Sequence, residues 1–403
     1  MDSDKTIWYI SIYPPKWSLH GSWASWVWSY TKNLVTNLSE KIQKEIVIFC
    51  DYETIVNPKD KYQEWNIYID RCRTRKWVYS FVSQIIHNLQ KYPKLKTIHI
   101  QHEFNMFGSI WTIAFVQILL IALKIKWIKI VITFHGLSSP DIIDTEYCEI
   151  NLLPWYLPSW IIKFCFLTFY RISKFTLDTI IVHEEYFQKI LIKKYWYNPN
   201  NIKVIHHGIE KLSSTISKDQ ACKKLWIPLD KKVLLYFWFI AWYKWVELLL
   251  DGFDKLDEEY HLIIAWWIPK RTAKDPKFME RYAKLESRIS WIQNITRIWF
   301  VPDEDIQTIY TASDLLVIPY IYMLAASWPM SLSIAYWLPF VVSKAFDSVI
   351  DNKSIIFDTN SDDLAKCIQD NISHKEENHI YIKQLQETRS RYKIANQTEK
   401  LYI

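Results

Sequence analysis

The sequence predicts an α/β protein built from two parallel-sheet domains. Three observations carry that expectation. Short apolar runs of strand length alternate with amphipathic stretches of helix length, the pattern left by parallel strands joined through crossover helices. A polar Ser/Thr/Lys-rich stretch at 211–219 interrupts the alternation near mid-chain, after which it restarts. A length of 403 residues exceeds one ordinary core and suits two. The expected division is 1–210 for the first domain, 211–228 for a linker, 229–385 for the second domain and 386–403 for a C-terminal helix or tail.

Residues 7–12 read as a buried first strand, followed by the loop Tyr13-Pro14-Pro15-Lys16-Trp17 and a helix from about 29 to 43. Strands follow at 46–50, 97–101 and 129–134, the last two running into His102-Glu103 and His135-Gly136. Segments 180–183 and 203–205 close the first half. Two stretches, 110–125 and 152–169, are more apolar than a surface helix needs. Gln117 and Lys124 interrupt the first and Pro154, Pro158 and Lys163 the second, so neither is a clean run of about 20 apolar residues and no membrane span is expected. Core helices account for both, with an interfacial helix touching a bilayer as the alternative. In the second half 233–237 is a strand, and 246–256 is a helix carrying Val246, Leu249, Leu250, Phe253 and Leu256 on one face. Strands at 262–265, 297–301, 315–319 and 340–343 and helices at 305–312 and 329–336 continue the alternation. The polar stretch 362–395 reads as helices, and no solenoid repeat is visible.

Composition narrows the class. Hydrophobic residues make up 50% and charged residues 23%, which describes a globular chain rather than a disordered one. The six cysteines are scattered, with no CxxC and no Cys/His cluster, so neither a disulfide scaffold nor a zinc site is expected and a reducing compartment is. The net charge of +6 suits an anionic ligand or an acidic membrane surface, and nothing points to nucleic acid. Met1–Lys5 is polar and no signal peptide is expected, which favours a cytoplasmic location.

One imbalance stands apart. The chain has 22 Trp and 5 Gly, and the two counts together approach the glycine share of about 7% that a chain of this length normally has. Tyr195-Trp196-Tyr197-Asn198-Pro199 and Leu225-Trp226-Ile227-Pro228 read as helix ends with tryptophan where a C′ glycine belongs. Trp17, Trp23, Trp26 and Trp28 crowd one loop, and Trp266-Trp267 occupy the place of a Gly-Gly turn. The expectation is that many of these codons are UGA, read as glycine in the source and written here as Trp. Only 10 of the 49 basic residues are Arg, as an AT-rich genome gives. The alternative is a Trp-rich protein, whose indoles would favour sugar stacking.

Ligands in open parallel sheets sit beyond the carboxyl ends of the strands, so the residues just after strands are the candidates. Trp17, if glycine, makes a tight loop toward a helix N-terminus that can face a phosphate or sugar, against an ordinary strand–helix turn. No strict GxGxxG is present, so dinucleotide binding is poorly supported. In segment 237–246, glycines at Trp238 and Trp245 would give a close backbone approach before Lys244. A lysine at the positive end of the next helix needs an anion beside it unless it is a solvated cap residue. Ser327-Trp328-Pro329-Met330-Ser331 opens a helix whose amides could cradle a diphosphate, against simple capping. His135-Gly136 is a candidate catalytic and substrate contact, against a structural histidine, and His102-Glu103 is a candidate for the acceptor side. His206-His207-Gly208 reads as a hinge rather than a metal site.

With these residues placed, the sequence resembles the GT-B glycosyltransferases, of the retaining group that includes family 4 and glycosyl transferases group 1. The resemblance rests on Tyr13-Pro14-Pro15, the VITFHG run ending at Gly136, VIHHGIE at 204–210, the Lys244 segment, 300–305, TASDLLVIP at 311–319 and AYWLPFVV at 335–342. It implies two Rossmann-like domains facing across a cleft. The second would hold a nucleotide-diphosphate sugar and the first a glycan or lipid-linked acceptor, with peripheral contact at the inner face of a membrane. It also implies a metal-independent hexosyl transfer without cofactor. Lys244 would bind donor phosphate, the amides from Trp328 to Ser331 would stabilise the leaving diphosphate, and His135 would lie near the transferred sugar. The two glutamates frequent in the family fall on Leu324 and Leu332, and Phe239 and Ala241 stand where an arginine partner to the lysine occurs. A GT-B epimerase and a non-catalytic sugar-binding protein are the alternatives.

Overall fold

A computed structural model describes residues 4–14, 26–51, 62–73, 80–103, 112–151, 153, 157–266, 268 and 272–402. The chain divides into two compact units. One comprises 1–208, 324–326 and 389–403, the other 209–323 and 327–388.

The first unit holds an eight-stranded sheet of β1 (Ile7–Ile10), β2 (Ile46–Asp51), β3 (Tyr62–Glu64), β4 (Ile67–Arg73), β5 (Thr97–His102), β6 (Lys129–Phe134), β7 (Thr179–Val182) and β8 (Ile202–Val204). Its order is β3-β4-β2-β1-β5-β6-β7-β8, with every pairing parallel except the β3–β4 hairpin. β1, β2 and β5 are buried throughout, as Val/Ile-rich strands covered on both faces must be. The second unit holds β9 (Lys232–Phe237), β10 (Tyr260–Ala265), β11 (Ile295–Ile298), β12 (Leu315–Ile318), β13 (Phe340–Ser343) and β14 (Ile356–Phe357), in the all-parallel order β11-β10-β9-β12-β13-β14. Two such sheets with helical crossovers make the two-domain GT-B architecture.

Three differences from the sequence reading are informative. The helix expected from about 29 to 43 is two, Trp26–Thr36 and Glu40–Glu45, because Ser39 takes extended backbone and starts a new helix. The β3–β4 hairpin was hidden because its two-residue turn begins with Trp65, where such a turn normally takes glycine. The apolar stretches became the helices Thr112–Ile125 and Ser159–Ser173, and among the described residues no helix is long and apolar enough to cross a membrane.

The backbone also separates the tryptophans into two kinds. Among the described residues, seven other than glycine have positive φ, and all seven are tryptophan: 65, 127, 196, 226, 238, 245 and 337. Three of them end helices in the Schellman pattern. Trp226 donates to the Lys223 carbonyl at 3.2 Å and Ile227 to Cys222 at 2.9 Å, with matching pairs at Trp127/Ile128 and Trp337/Leu338. An L-residue with a Cβ costs about 1–2 kcal/mol in this left-handed region, which is why glycine normally occupies it. Trp8, by contrast, lies inside β1, fully buried and stacked on Phe49 at 4.3 Å.

Candidate functional site

In the second unit, β9 ends at Phe237 and the chain reverses through Trp238 into a short turn, Trp242–Lys244, before the Val246–Phe253 helix. This places Lys244 inside the fold at 1% exposure. Its Nζ donates to the Tyr320 hydroxyl at 3.3 Å and sits 4.0 Å from the Phe239 ring centre and 5.0 Å from that of Trp238. No carboxylate among the described residues pairs with it, and burial pushes its amine well below the usual lysine range. A buried amine surrounded by rings is a site that gains from an anion.

The start of the Trp328–Ala335 helix faces the same place. Ser327 caps it by accepting from the Met330 N–H at 3.4 Å, and the Ser331 hydroxyl donates to the Ser327 carbonyl at 3.2 Å. The Trp328 and Trp238 rings lie 4.9 Å apart, with Trp328 also 5.9 Å from Phe237. Both indoles are half-buried, so they occupy the space beside the helix N-terminus and Lys244. The structure thus brings together Lys244, Trp238, Ser327, Trp328 and Ser331. Tyr320, which sequence reading missed, joins them from the end of β12. Its only signal was its position just after a strand. Leu324 and Leu332 are half-buried, and Trp17 lies outside the described residues.

In the first unit, His135 follows β6 and is buried. Its Nε2 is 2.7 Å from Gln101 Oε1 and its Nδ1 is 3.0 Å from His183 Nε2. Burial, with His183 and His207 adding to it, drives its pKa well below the histidine range, so the ring is neutral. Gly136 bridges to Ala325, and a Cβ on it would stand 3.1 Å from the Leu324 carbonyl oxygen, so glycine is needed for that close approach. His102 lies in the aromatic core, stacked on Phe169 at 5.2 Å with its pKa pushed down to about 3 by burial, while Glu103 beside it is half-buried. Glu184 is buried under a bidentate contact with Arg389, 2.9 and 3.3 Å. Burial alone would raise this carboxyl, and Arg389 with His206 outweighs it to a net lowering.

The comparisons with known proteins agree with this geometry. The model described as Glycosyltransferase Family 4 matches residues 27–211, and that described as Glycosyl transferases group 1 matches 217–388. Among solved structures, sucrose-phosphate synthase from Thermosynechococcus elongatus is 15% identical with a TM-score of 0.70, covering 99% of this chain and 98% of its own. Anabaena HepE, solved with UDP and glucose, is 12% identical with a TM-score of 0.67, covering 98% and 99%. A glycosyltransferase from Rickettsia africae ESF-5 is 15% identical with a TM-score of 0.67, covering 99% and 98%. At these identities the structures speak for the fold. No curated protein matches the chain.

Proposed function

Starting from a chain that belongs to the glycosyltransferases of family 4 and group 1, we propose that it moves a hexose from a nucleotide-diphosphate sugar to a glycan or lipid-linked acceptor, with retention. The observation that carries this reading is Lys244, a buried amine with no carboxylate partner among the described residues, beside the N-terminus of the Trp328–Ala335 helix. In the transfer the bond between the anomeric carbon and the diphosphate oxygen breaks. The acceptor oxygen bonds to that carbon on the same face, and its proton passes to the departing phosphate. Lys244 and the amides of Met330, Ser331 and Leu332 stabilise the charge that develops there, with no metal and no cofactor. His135 is neutral and bonded within its unit, so it acts by position, holding the turn at Gly136. Leucines at 324 and 332 remove two polar donor contacts, so specificity rests on the phosphate end.

The same reading requires glycine at 238, 245 and 328 in the protein as made, because indoles at 238 and 328 fill the space a diphosphate needs. The positive φ at Trp238 and Trp245 supports this. A lipid-linked acceptor is supported by exposed apolar side chains in the first unit. Ile118, Ile121 and Ile125 lie on one helix, and Trp160, Phe164 and Ile172 on the helix packed against it through Gln117, which donates to the Phe169 carbonyl at 3.0 Å. That surface supports the reading of peripheral contact at the inner face of a membrane.

The test is peptide mass spectrometry of the native protein across 233–250 and 320–335, followed by calorimetry with UDP-glucose on the chain so defined. Glycine at 238, 245 and 328, with binding lost in Lys244→Ala, is the expected result. Tryptophan at all three, or binding unchanged in Lys244→Ala, overturns the assignment and leaves a sugar-binding role without transfer.

A further inference from the structure

We propose that His135, His183 and His207 form a three-imidazole site for a divalent transition-metal cation, with zinc as the ion its ligand chemistry favours. The three residues are distant in sequence and converge because β6, β7 and β8 are parallel neighbours. His135 and His183 directly follow β6 and β7, and His207 lies just past β8. One ligand atom from each lies within 4.8 Å of the others. The rings of His183 and His207 are 4.2 Å apart, and Tyr30 packs against all three at 4.8, 5.0 and 4.9 Å.

The outer hydrogen bonds carry the argument further. His183 Nδ1 lies 2.9 Å from the Ile205 carbonyl, which only accepts, so Nδ1 bears the hydrogen and Nε2 presents a bare lone pair. His135 Nε2 lies 2.7 Å from Gln101 Oε1, which also only accepts, so His135 Nδ1 is bare as well. These two bare nitrogens face each other at 3.0 Å. Two neutral lone pairs at that distance repel unless an electrophile lies between them. Imidazoles held by a carbonyl on the far nitrogen are the usual outer arrangement of metal-binding histidines. Zinc–nitrogen bonds of 2.0–2.1 Å put tetrahedral ligand nitrogens about 3.3 Å apart, so the His135–His183 gap need open only slightly. Imidazole suits zinc, copper and nickel rather than magnesium or calcium, which take oxygen, and three histidines leave a fourth position open. His207 is half-buried whereas His135 and His183 are buried. The neighbouring Glu184, Glu185 and His206 also approach one another, but Arg389 already holds Glu184 by both oxygens. A bound ion would fix the His135 ring through Nδ1 while Gln101 holds Nε2, making His183 and His207 positioning residues for the strand end that carries Gly136.

The experiment uses the purified full chain, carrying whichever residues mass spectrometry finds at the tryptophan positions. It is stripped with chelator and titrated with zinc chloride by calorimetry, with metal content measured by elemental analysis and cobalt(II) as a visible-absorption probe. One zinc per chain and a tetrahedral cobalt spectrum are expected. His183→Gln and His207→Ala should each lose stoichiometric binding. Gln101→Ala, which removes only the outer contact, should weaken it by about 10–100-fold, and His87→Ala, an exposed histidine elsewhere, should bind as the parent does. Circular dichroism checks that each variant folds. Absence of zinc binding by the folded parent, or binding retained in both ligand variants, overturns the proposal. In the first case the Gln101 amide is reversed and a proton links His135 to His183.

Discussion

Trp226 and Trp291 make a matched pair for testing what the backbone says about the tryptophans. Both lie in the second unit, both follow a helix, and both are largely exposed, at 92% and 83%. They differ in backbone: Trp226 has φ 58, whereas Trp291 has φ −91 and ψ −10. Neither indole buries much surface, so replacement by glycine reads the backbone almost alone. At 226 the change removes a left-handed strain of about 1–2 kcal/mol and adds a glycine entropy cost of about 0.5–1 kcal/mol. The net is a stabilisation of roughly 1 kcal/mol, with the Schellman bonds of Trp226 and Ile227 retained. At 291 there is no strain to relieve, and the same substitution costs about 0.5–1 kcal/mol. For a unit of this size each kcal/mol moves the midpoint by about 2–4 °C. Thermal unfolding of the full chain, followed by circular dichroism, should therefore show Trp226→Gly raising the second unit's midpoint and Trp291→Gly lowering it. Shifts of the same sign in both variants would refute the claim that positive φ marks the glycine positions.

Other outcomes follow from the same geometry. Lys244→Met should stabilise the chain at neutral pH while abolishing nucleotide-sugar binding, as denaturant titration and calorimetry would show. The unfolded lysine keeps a proton that the buried one releases, so the parent gains stability as pH rises toward the ordinary lysine range. Its deficit relative to Lys244→Met should shrink by about 1.4 kcal/mol per pH unit in that window. Glu184→Gln should cost about 3–5 kcal/mol by leaving Arg389 buried and unpaired. Because the Glu184 carboxyl is held below its ordinary range, the pair's contribution is present above that range and lost as pH falls through it. Urea unfolding at neutral and acidic pH checks both statements. Gly136→Ala places a methyl 3.1 Å from the Leu324 carbonyl oxygen and should destabilise by about 1–3 kcal/mol, measured by the same unfolding.

Much of the fold was legible in the sequence because buried parallel strands are near-continuous apolar runs. The strand at Lys129–Phe134 and that at Phe340–Ser343 fell where expected, and the candidates His135 and Gly136 directly follow the first of them. The β3–β4 hairpin was not legible, because its turn opens with Trp65 rather than glycine and its strands are short and partly polar. Composition alone raised the expectation of tryptophans standing at glycine positions. Which of them take the positive φ that favours glycine is a matter of backbone torsion, and only the folded chain separates Trp226 and Trp245 from Trp8 or Trp291. Likewise the sequence marked Lys244 as an anion contact from its place before a helix. That the amine is buried, bonded to Tyr320 and without a carboxylate partner among the described residues depends on β9 and β12 being neighbours, which no local pattern encodes. The three histidines show the same division. His135 read as a residue after its strand, His183 fell inside the expected strand 180–183, and His207 read with His206 and Gly208 as a hinge. Strand order in the sheet, fixed by packing between segments about 25 to 50 residues apart, is what brings their ring nitrogens to one point.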